Sequence, residues 1–421
     1  MFKDLSKSEL MQILKVEKDK YDAFSRENIK MDISRGKPCS EQLDMAMPLL
    51  DILNSETKFD TDYRNYGVLQ GIPELRKIFA DVLGLDADNV IIGGSSSLNM
   101  MYDTVQRCMQ FGVMNGTPWN KLDKVKFLCP VPGYDRHFAI TEHFGIEMIA
   151  VPMTESGPDM NIVEALVASD DSIKGIWCVP KYSNPTGITY SDEVVERFAK
   201  MKTAASDFRI FWDNAYVVHD LYEDRHDELK NLMTSLLAYG NEDRVYMYTS
   251  TSKITFPGSG VACMACSPNN VKDILSHMKF QTIGCNKIVQ YAHALYLKDT
   301  ENIHELMRKH AEICRPKFDT VLASLRCGLD GTGIASWTEP NGGYFISFDV
   351  MNGCAKRVWT LCHDAGLTIT KAGSTYPLGM DDSDSNIRIA PTFATNEELD
   401  EAIELLITCV KIASIEKLLE D

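Results

Sequence analysis

The strongest constraint on this chain is a pattern repeated through its middle. Five short apolar runs are each followed by a cluster of Gly, Pro, Ser or Asn, with helix-like stretches between them. They are Val90–Ile92, Val125–Cys129, Gly175–Val179, Arg209–Trp212 and Val245–Tyr248. Each run is short and rich in Val, Ile and aromatic residues, so each reads as a buried strand. Strands alternating with helices build a mostly parallel sheet covered on both faces, because a parallel crossover needs a helix to return the chain. Ligands of such α/β sheets gather at the carboxyl ends of the strands. The unusual residues of this chain stand at those ends.

The last third has a different character. Helical patterns run through Asp299–Leu325 and Glu397–Leu419, and the second opens with a capping box from Thr395 to Glu398. Between them lie Gly342–Ile346 and a Gly/Pro/Asp-rich loop, Gly373–Asn386. This part reads as a smaller α+β domain. The N-terminal segment, with Ser6 and Glu9 as a second capping box, is assigned to it. The expected division is a large domain over 49–301 and a small one from 1–48 and 302–421. A chain of 421 residues is long enough for both.

Composition excludes several functions. A formal net charge of −17 makes general nucleic-acid binding a poor fit, since neutralising phosphates needs a basic face. No run approaches the roughly 18–20 apolar residues of a membrane helix, so no membrane association is expected. The first twenty residues are charged throughout, without the apolar core of a signal peptide, and read as the start of the mature protein. The 12 cysteines are scattered, which suggests a reducing, cytoplasmic compartment rather than a disulfide framework.

Four motifs carry chemistry. Thr249-Ser250-Thr251-Ser252-Lys253 follows a strand. A partly desolvated lysine has a lowered pKa and can form a Schiff base, and neighbouring hydroxyls can donate to a phosphate. Alone, the segment fits a polar surface loop equally well. Asp213 ends the run Phe211-Trp212-Asp213. A carboxylate there needs a cationic partner, unless it merely caps the next helix. Asn184 sits in Asn-Pro-Thr-Gly after a third run, where a plain turn is the simpler reading. Gly93-Gly94-Ser95-Ser96-Ser97 precedes a helical run, and a helix N-terminus with hydroxyls can hold an anion.

Together these are the parts for one cofactor. Lysine takes an aldehyde, aspartate faces a pyridinium, Asn and Tyr face a phenol oxygen, and serines cradle a phosphate. The cofactor these parts point to is pyridoxal 5'-phosphate. The order and spacing resemble the fold-type I aminotransferases of class I/II, over nearly the whole chain. Stretches such as Ser34–Pro38, Thr251–Thr255, Gly342–Phe345 and the loop leading to Arg388 are most similar to the type Ic aspartate aminotransferase subgroup.

The resemblance implies a seven-stranded, helix-covered large-domain sheet and assigns roles. Lys253, 40 residues after Asp213, holds the aldehyde and then shuttles the proton. Asp213 keeps the ring nitrogen protonated. Tyr216 and Asn184 contact the phenolic oxygen, and Asn184 also borders the substrate. Tyr134 stacks on the ring, with His137 behind it near Asp213. Ser95, Ser96, Ser97, Ser250 and Ser252 serve the phosphate. Tyr66 reaches the phosphate of a neighbouring subunit, which implies a homodimer with shared sites. Arg388 binds the substrate α-carboxylate, and Gly36 lies in the segment that closes over substrate. One departure stands out. Many relatives carry a phosphate-binding arginine about eight residues after the lysine, and Val261 occupies that place here.

The expected activity is transfer of an amino group from an L-amino acid, aspartate or glutamate, to a 2-oxo acid such as 2-oxoglutarate through a Schiff base on Lys253. A dicarboxylic substrate needs a second cation. Arg136 is the first candidate, followed by Arg35 and Lys287. A simple ion pair between Arg136 and Asp135 is the alternative. Rival readings are a broad or aromatic aminotransferase, a C–S lyase on the same scaffold, and a non-enzymatic regulator. No metal site is expected. Cys263-Met264-Ala265-Cys266 lacks a second pair, and Asp381-Asp382-Ser383-Asp384, which lacks the glycine and terminal glutamate of a calcium loop, reads as a solvated acidic loop.

Overall fold

The computed structural model describes residues 1–27 and 30–420. Its strands, in chain order, are β1 (Met31–Asp32), β2 (Val90–Ile92), β3 (Lys126–Val131), β4 (Glu147–Thr154), β5 (Gly157–Pro158), β6 (Ile173–Cys178), β7 (Arg209–Asp213), β8 (Val245–Ser250), β9 (Ala262–Ala265), β10 (Ala335–Trp337), β11 (Ile346–Val350), β12 (Leu367–Thr368) and β13 (Asn386–Ile389). The five apolar runs are β2, β3, β6, β7 and β8, within two residues at each end.

The large sheet has the order β2-β9-β8-β7-β6-β3-β4-β5. Strands β8, β7, β6, β3 and β4 run parallel, and β9 is antiparallel to both neighbours. The expected seven strands are therefore eight. The extra one is β5, a two-residue strand that folds back antiparallel on β4. Alternation puts successive side chains on opposite faces. Leu128, Ile176, Ile210, Trp212 and Met247 enter one core, while Phe127, Trp177, Phe211, Tyr246 and Tyr248 enter the other. Burial on both faces is why these strands read as continuous apolar runs.

A separate core surrounds the three-stranded sheet β10-β11-β13. It takes in the helices Thr300–Leu329, Ala355–Asp364 and Asn396–Glu420. The helix Lys7–Glu27 packs on Asn396–Glu420. Both capping boxes form. Ser6 N–H donates to Glu9 at 2.8 Å, and Thr395 N–H to Glu398 at 2.8 Å. The acidic loop departs from its expectation. Asp381 is buried rather than solvated, because its carboxylate accepts the backbone N–H groups of Ser383, Ser385 and Asn386. It secures the turn that starts β13. No helix among the described residues is long and apolar enough to cross a membrane.

Candidate active site

Parallel strands deliver their carboxyl ends to one edge of the sheet. Lys253 follows β8, Asp213 ends β7, Asn184 follows β6, and Tyr134 follows β3. Ser96 and Ser97 open the helix Ser97–Phe111 after β2. Arg388 arrives from β13, and Ser34 to Gly36 from the segment after β1. With Tyr216, Arg136, Ser250 and Ser252, all line one cleft of about 480 Å³.

The Lys253 amine lies 5.2 Å from the Tyr216 ring centre and 5.8 Å from that of Tyr344. Desolvation by these walls holds its pKa below the ordinary lysine value. The Asp213 carboxylate opposes that shift, and the Arg388 charge adds to it. The amine is thus easier to free of its proton than a surface lysine. Burial also pushes the Tyr216 phenol well above its usual value, so it stays protonated.

Asp213 is buried, and its Oδ2 lies 3.0 Å from His137 Nε2. His137 in turn stacks on Trp177, with ring centres 4.5 Å apart. The other carboxylate oxygen, Oδ1, is buried with no hydrogen-bond partner. An unpaired buried carboxylate oxygen is costly and calls for a donor or cation from outside the chain. A protonated pyridine nitrogen meets that need. Ser96 caps its helix by accepting Leu98 N–H at 3.2 Å, and Ser250 Oγ donates to Ser252 Oγ at 3.0 Å. Hydroxyls gathered at a helix N-terminus suit a phosphate. The residues present therefore fit pyridoxal phosphate.

Arg388 is held firmly. Nη1 donates to Asp135 Oδ1 at 3.0 Å and to Asn184 Oδ1 at 3.2 Å. Phe345 covers the guanidinium, with its ring centre 4.7 Å from Cζ. Gly36 is needed beside it, because a Cβ there would fall 2.3 Å from the Phe345 ring.

Three expected residues lie elsewhere. Ser95 lines a neighbouring cavity of about 370 Å³ with Asn99 and Arg107. It belongs to the loop before the helix, one position short of the cap. Tyr66 is 82% exposed and does not line its own chain's cleft. Lys287, at the start of the helix Lys287–Leu297, is buried and does not line it either. Val261 packs in the core on one face of the sheet, with its N–H donated to Thr251 Oγ1 at 3.0 Å.

Other residues escaped the sequence reading. Lys371 and Phe345 line the cleft; nothing local marks Lys371, and Phe345 was legible only as the end of the stretch Gly342–Phe345, without a place in the site. His219 lies behind Tyr216 and Tyr344, at 5.6 and 5.8 Å between ring centres. Burial first, and then the Lys253 charge, hold its pKa well below the ordinary histidine value. Asp135 was legible only as a possible partner of Arg136, and the structure pairs it with Arg388 instead.

The sequence profile of the family described as "Aspartate amino-transferase" matches residues 5–421. The chain belongs to this family. Its members are aminotransferases that use pyridoxal phosphate. An aspartate aminotransferase from Corynebacterium glutamicum is 47% identical over 403 residues, covering 95% of this chain and 93% of that protein. The crystal structure of an aspartate transaminase from the same species superposes with a TM-score of 0.96 at 46% identity, covering 99% of each chain. The α-aminoadipate aminotransferase of Thermus thermophilus, solved with N-(5'-phosphopyridoxyl)-L-leucine, shares the fold at 19% identity and a TM-score of 0.73, over 94% of this chain and 95% of that one. The aminotransferase assignment thus rests on the whole chain, site included.

Proposed function

We propose that this aminotransferase moves the amino group of aspartate or glutamate to a 2-oxo acid such as 2-oxoglutarate, with pyridoxal phosphate held by Lys253, Asp213, Tyr134, Asn184, Tyr216 and the serine cluster. The observation that carries this reading is the meeting of Lys253 and Arg388 in one cleft. When bound, the cofactor supplies an aldehyde for the amino group and a cationic ring that spreads the charge left on the substrate α-carbon. Arg388 orients the substrate through its carboxylate. Lys253, once displaced, takes the α-proton on Nζ and returns it, a task its lowered pKa favours. Asp213 keeps the ring nitrogen protonated, and His137 fixes the carboxylate.

Arg35, Arg136 and Lys371 are exposed in the cleft and form no ion pair among the described residues. We assign the distal carboxylate of a dicarboxylic substrate to this trio, with Arg136 foremost. Arg136→Ala then weakens aspartate far more than an apolar amino acid, and equal losses for both would remove the assignment. A homodimer with shared sites belongs to the same reading. Exposed Tyr66, Val68 and Ile283 stand on two loops that touch where Gly284 packs on Gly67, an apolar face suited to a second copy. The two separate cores support a division into a large and a small domain, with Ile303, Leu306 and Met307 still packed in the large one and the same helix joining the small one from Cys314.

The test is the half-reaction. Cofactor-loaded protein is mixed with aspartate alone, and its visible spectrum is followed. Loss of the loaded-state band with release of oxaloacetate is expected. An unchanged spectrum would move the search to glutamate, aromatic donors and lyase substrates. Pyruvate with ammonia as products would mark a lyase.

A further inference from the structure

We propose that Asp135 is an internal competitor for the substrate's carboxylate at Arg388. The inference rests on the reading above that Arg388 receives that carboxylate.

The guanidinium can be approached from one end only. Its Nε is buried and without a partner, and the Phe345 ring covers Cζ. A carboxylate reaching Arg388 must therefore come to the Nη1/Nη2 end. Two parallel bonds there need both nitrogens. Nη2 is nearly free, with only the Ser34 carbonyl at 3.5 Å. Nη1 is taken by Asp135 Oδ1 at 3.0 Å, beside Asn184 Oδ1 at 3.2 Å. Two carboxylates at one guanidinium corner repel each other, so the incoming one must displace Asp135.

The two partners differ in freedom. Arg388 sits in the middle of β13, paired with Ser347 on β11, and its side chain is 10% exposed. It cannot leave. Asp135 is the first residue of the helix Asp135–His143, and its side chain is 35% exposed. It can turn to water, where the helix N-terminus still favours its charge. Exchange of one carboxylate for another follows. The Arg388 charge stays balanced without substrate, and affinity for carboxylates is reduced by the bond that must first be broken.

The experiment measures binding of succinate, an unreactive dicarboxylate, to the cofactor-loaded enzyme by calorimetry. Asp135→Asn is expected to bind it about tenfold more tightly than wild type. Asp135→Glu, which restores the charge, is expected to bind it as weakly as wild type. Structural damage does not tighten binding, so the direction separates competition from disruption. Equal or weaker binding in Asp135→Asn overturns the proposal, as does tight binding in Asp135→Glu. Arg388→Lys is the control. If succinate binds Arg388→Lys as well as wild type, Arg388 is not the carboxylate's partner and the functional reading of Arg388 falls first. If that variant loses binding while Asp135→Asn is unchanged, only the competitor falls.

Discussion

Among single residues, environment decides which ionisable groups are free to react. Among the described residues, Lys253 is the one lysine placed against Tyr216, Tyr344 and Asp213 together. Its replacement by Ala removes both the proposed anchor and the proposed proton carrier. We expect kcat to fall by at least about a thousandfold in single-turnover assays with aspartate, within the range of general acid–base contributions. Asp213→Asn keeps the shape and loses the charge that answers a ring cation. A drop of roughly 10²–10³ in kcat is expected, as for removal of one preorganised electrostatic partner. Retention of wild-type turnover by either variant would contradict its assigned role.

Among elements, caps and close approaches hold the parts that carry the site. The loop Gly373–Asn386 is pinned by Asp381 and by Asn386, whose Nδ2 donates to Ser347 and Asp349, both at 2.9 Å. These bonds place β13, and β13 places Arg388. The helix Asn396–Glu420 begins with the Thr395–Glu398 box, where Glu398 N–H donates to Thr395 Oγ1 at 3.2 Å. Thr395→Ala is expected to lower unfolding stability by about 1 kcal/mol, read from the urea midpoint. Gly36→Val sets a branched side chain against Phe345. It should raise KM for aspartate with little change in the far-ultraviolet circular dichroism, since the clash touches the small aromatic cluster at the cleft wall and neither of the large cores.

At the scale of the whole molecule, several buried histidines link stability to acid. Burial pulls His310 down to about 4, and it also lowers His219 and His293. The His310 ring accepts Gln42 Nε2 at Nδ1 over 2.9 Å, which suits the neutral form. The unfolded chain binds these protons near the ordinary value of 6.5, and the folded chain does not. For His310 the contribution is complete above about pH 6.5 and is lost as pH falls toward about 4. For His310 alone the loss is roughly 3 kcal/mol. His310→Gln should flatten the fall in the urea midpoint between pH 7 and pH 4.5, and an unchanged slope would assign the acid sensitivity elsewhere. The proposed shared site has its own test. Mixed and refolded Tyr66→Ala and Lys253→Ala subunits restore one intact site per hybrid dimer, and about a quarter of wild-type activity is expected. Full activity of Tyr66→Ala before mixing would mean that each subunit works alone.

The alternation of apolar runs with helical stretches was enough to place five strands of the large sheet, because strands buried on both faces must be apolar throughout. Lysine, aspartate, asparagine and serine at strand ends were legible for the same reason, since polar groups interrupt such runs only where chain and solvent meet. Local spacing also marked both capping boxes. Contacts between distant segments were not legible. Asp135 and Arg388 are 253 residues apart, and no local pattern says that the carboxylate turns to Arg388 rather than to Arg136 next door. Lys371 and His219 carry no motif, and they enter the cleft or its back wall only through the fold of distant segments. The buried state of Asp381 likewise depends on which backbone donors the folded loop presents to it. Periodicity and covalent neighbours set the strands, the helices and the reactive set at the sheet edge. The pairing of charges across the cleft was decided by tertiary structure alone, because electrostatic partnership follows distance in space.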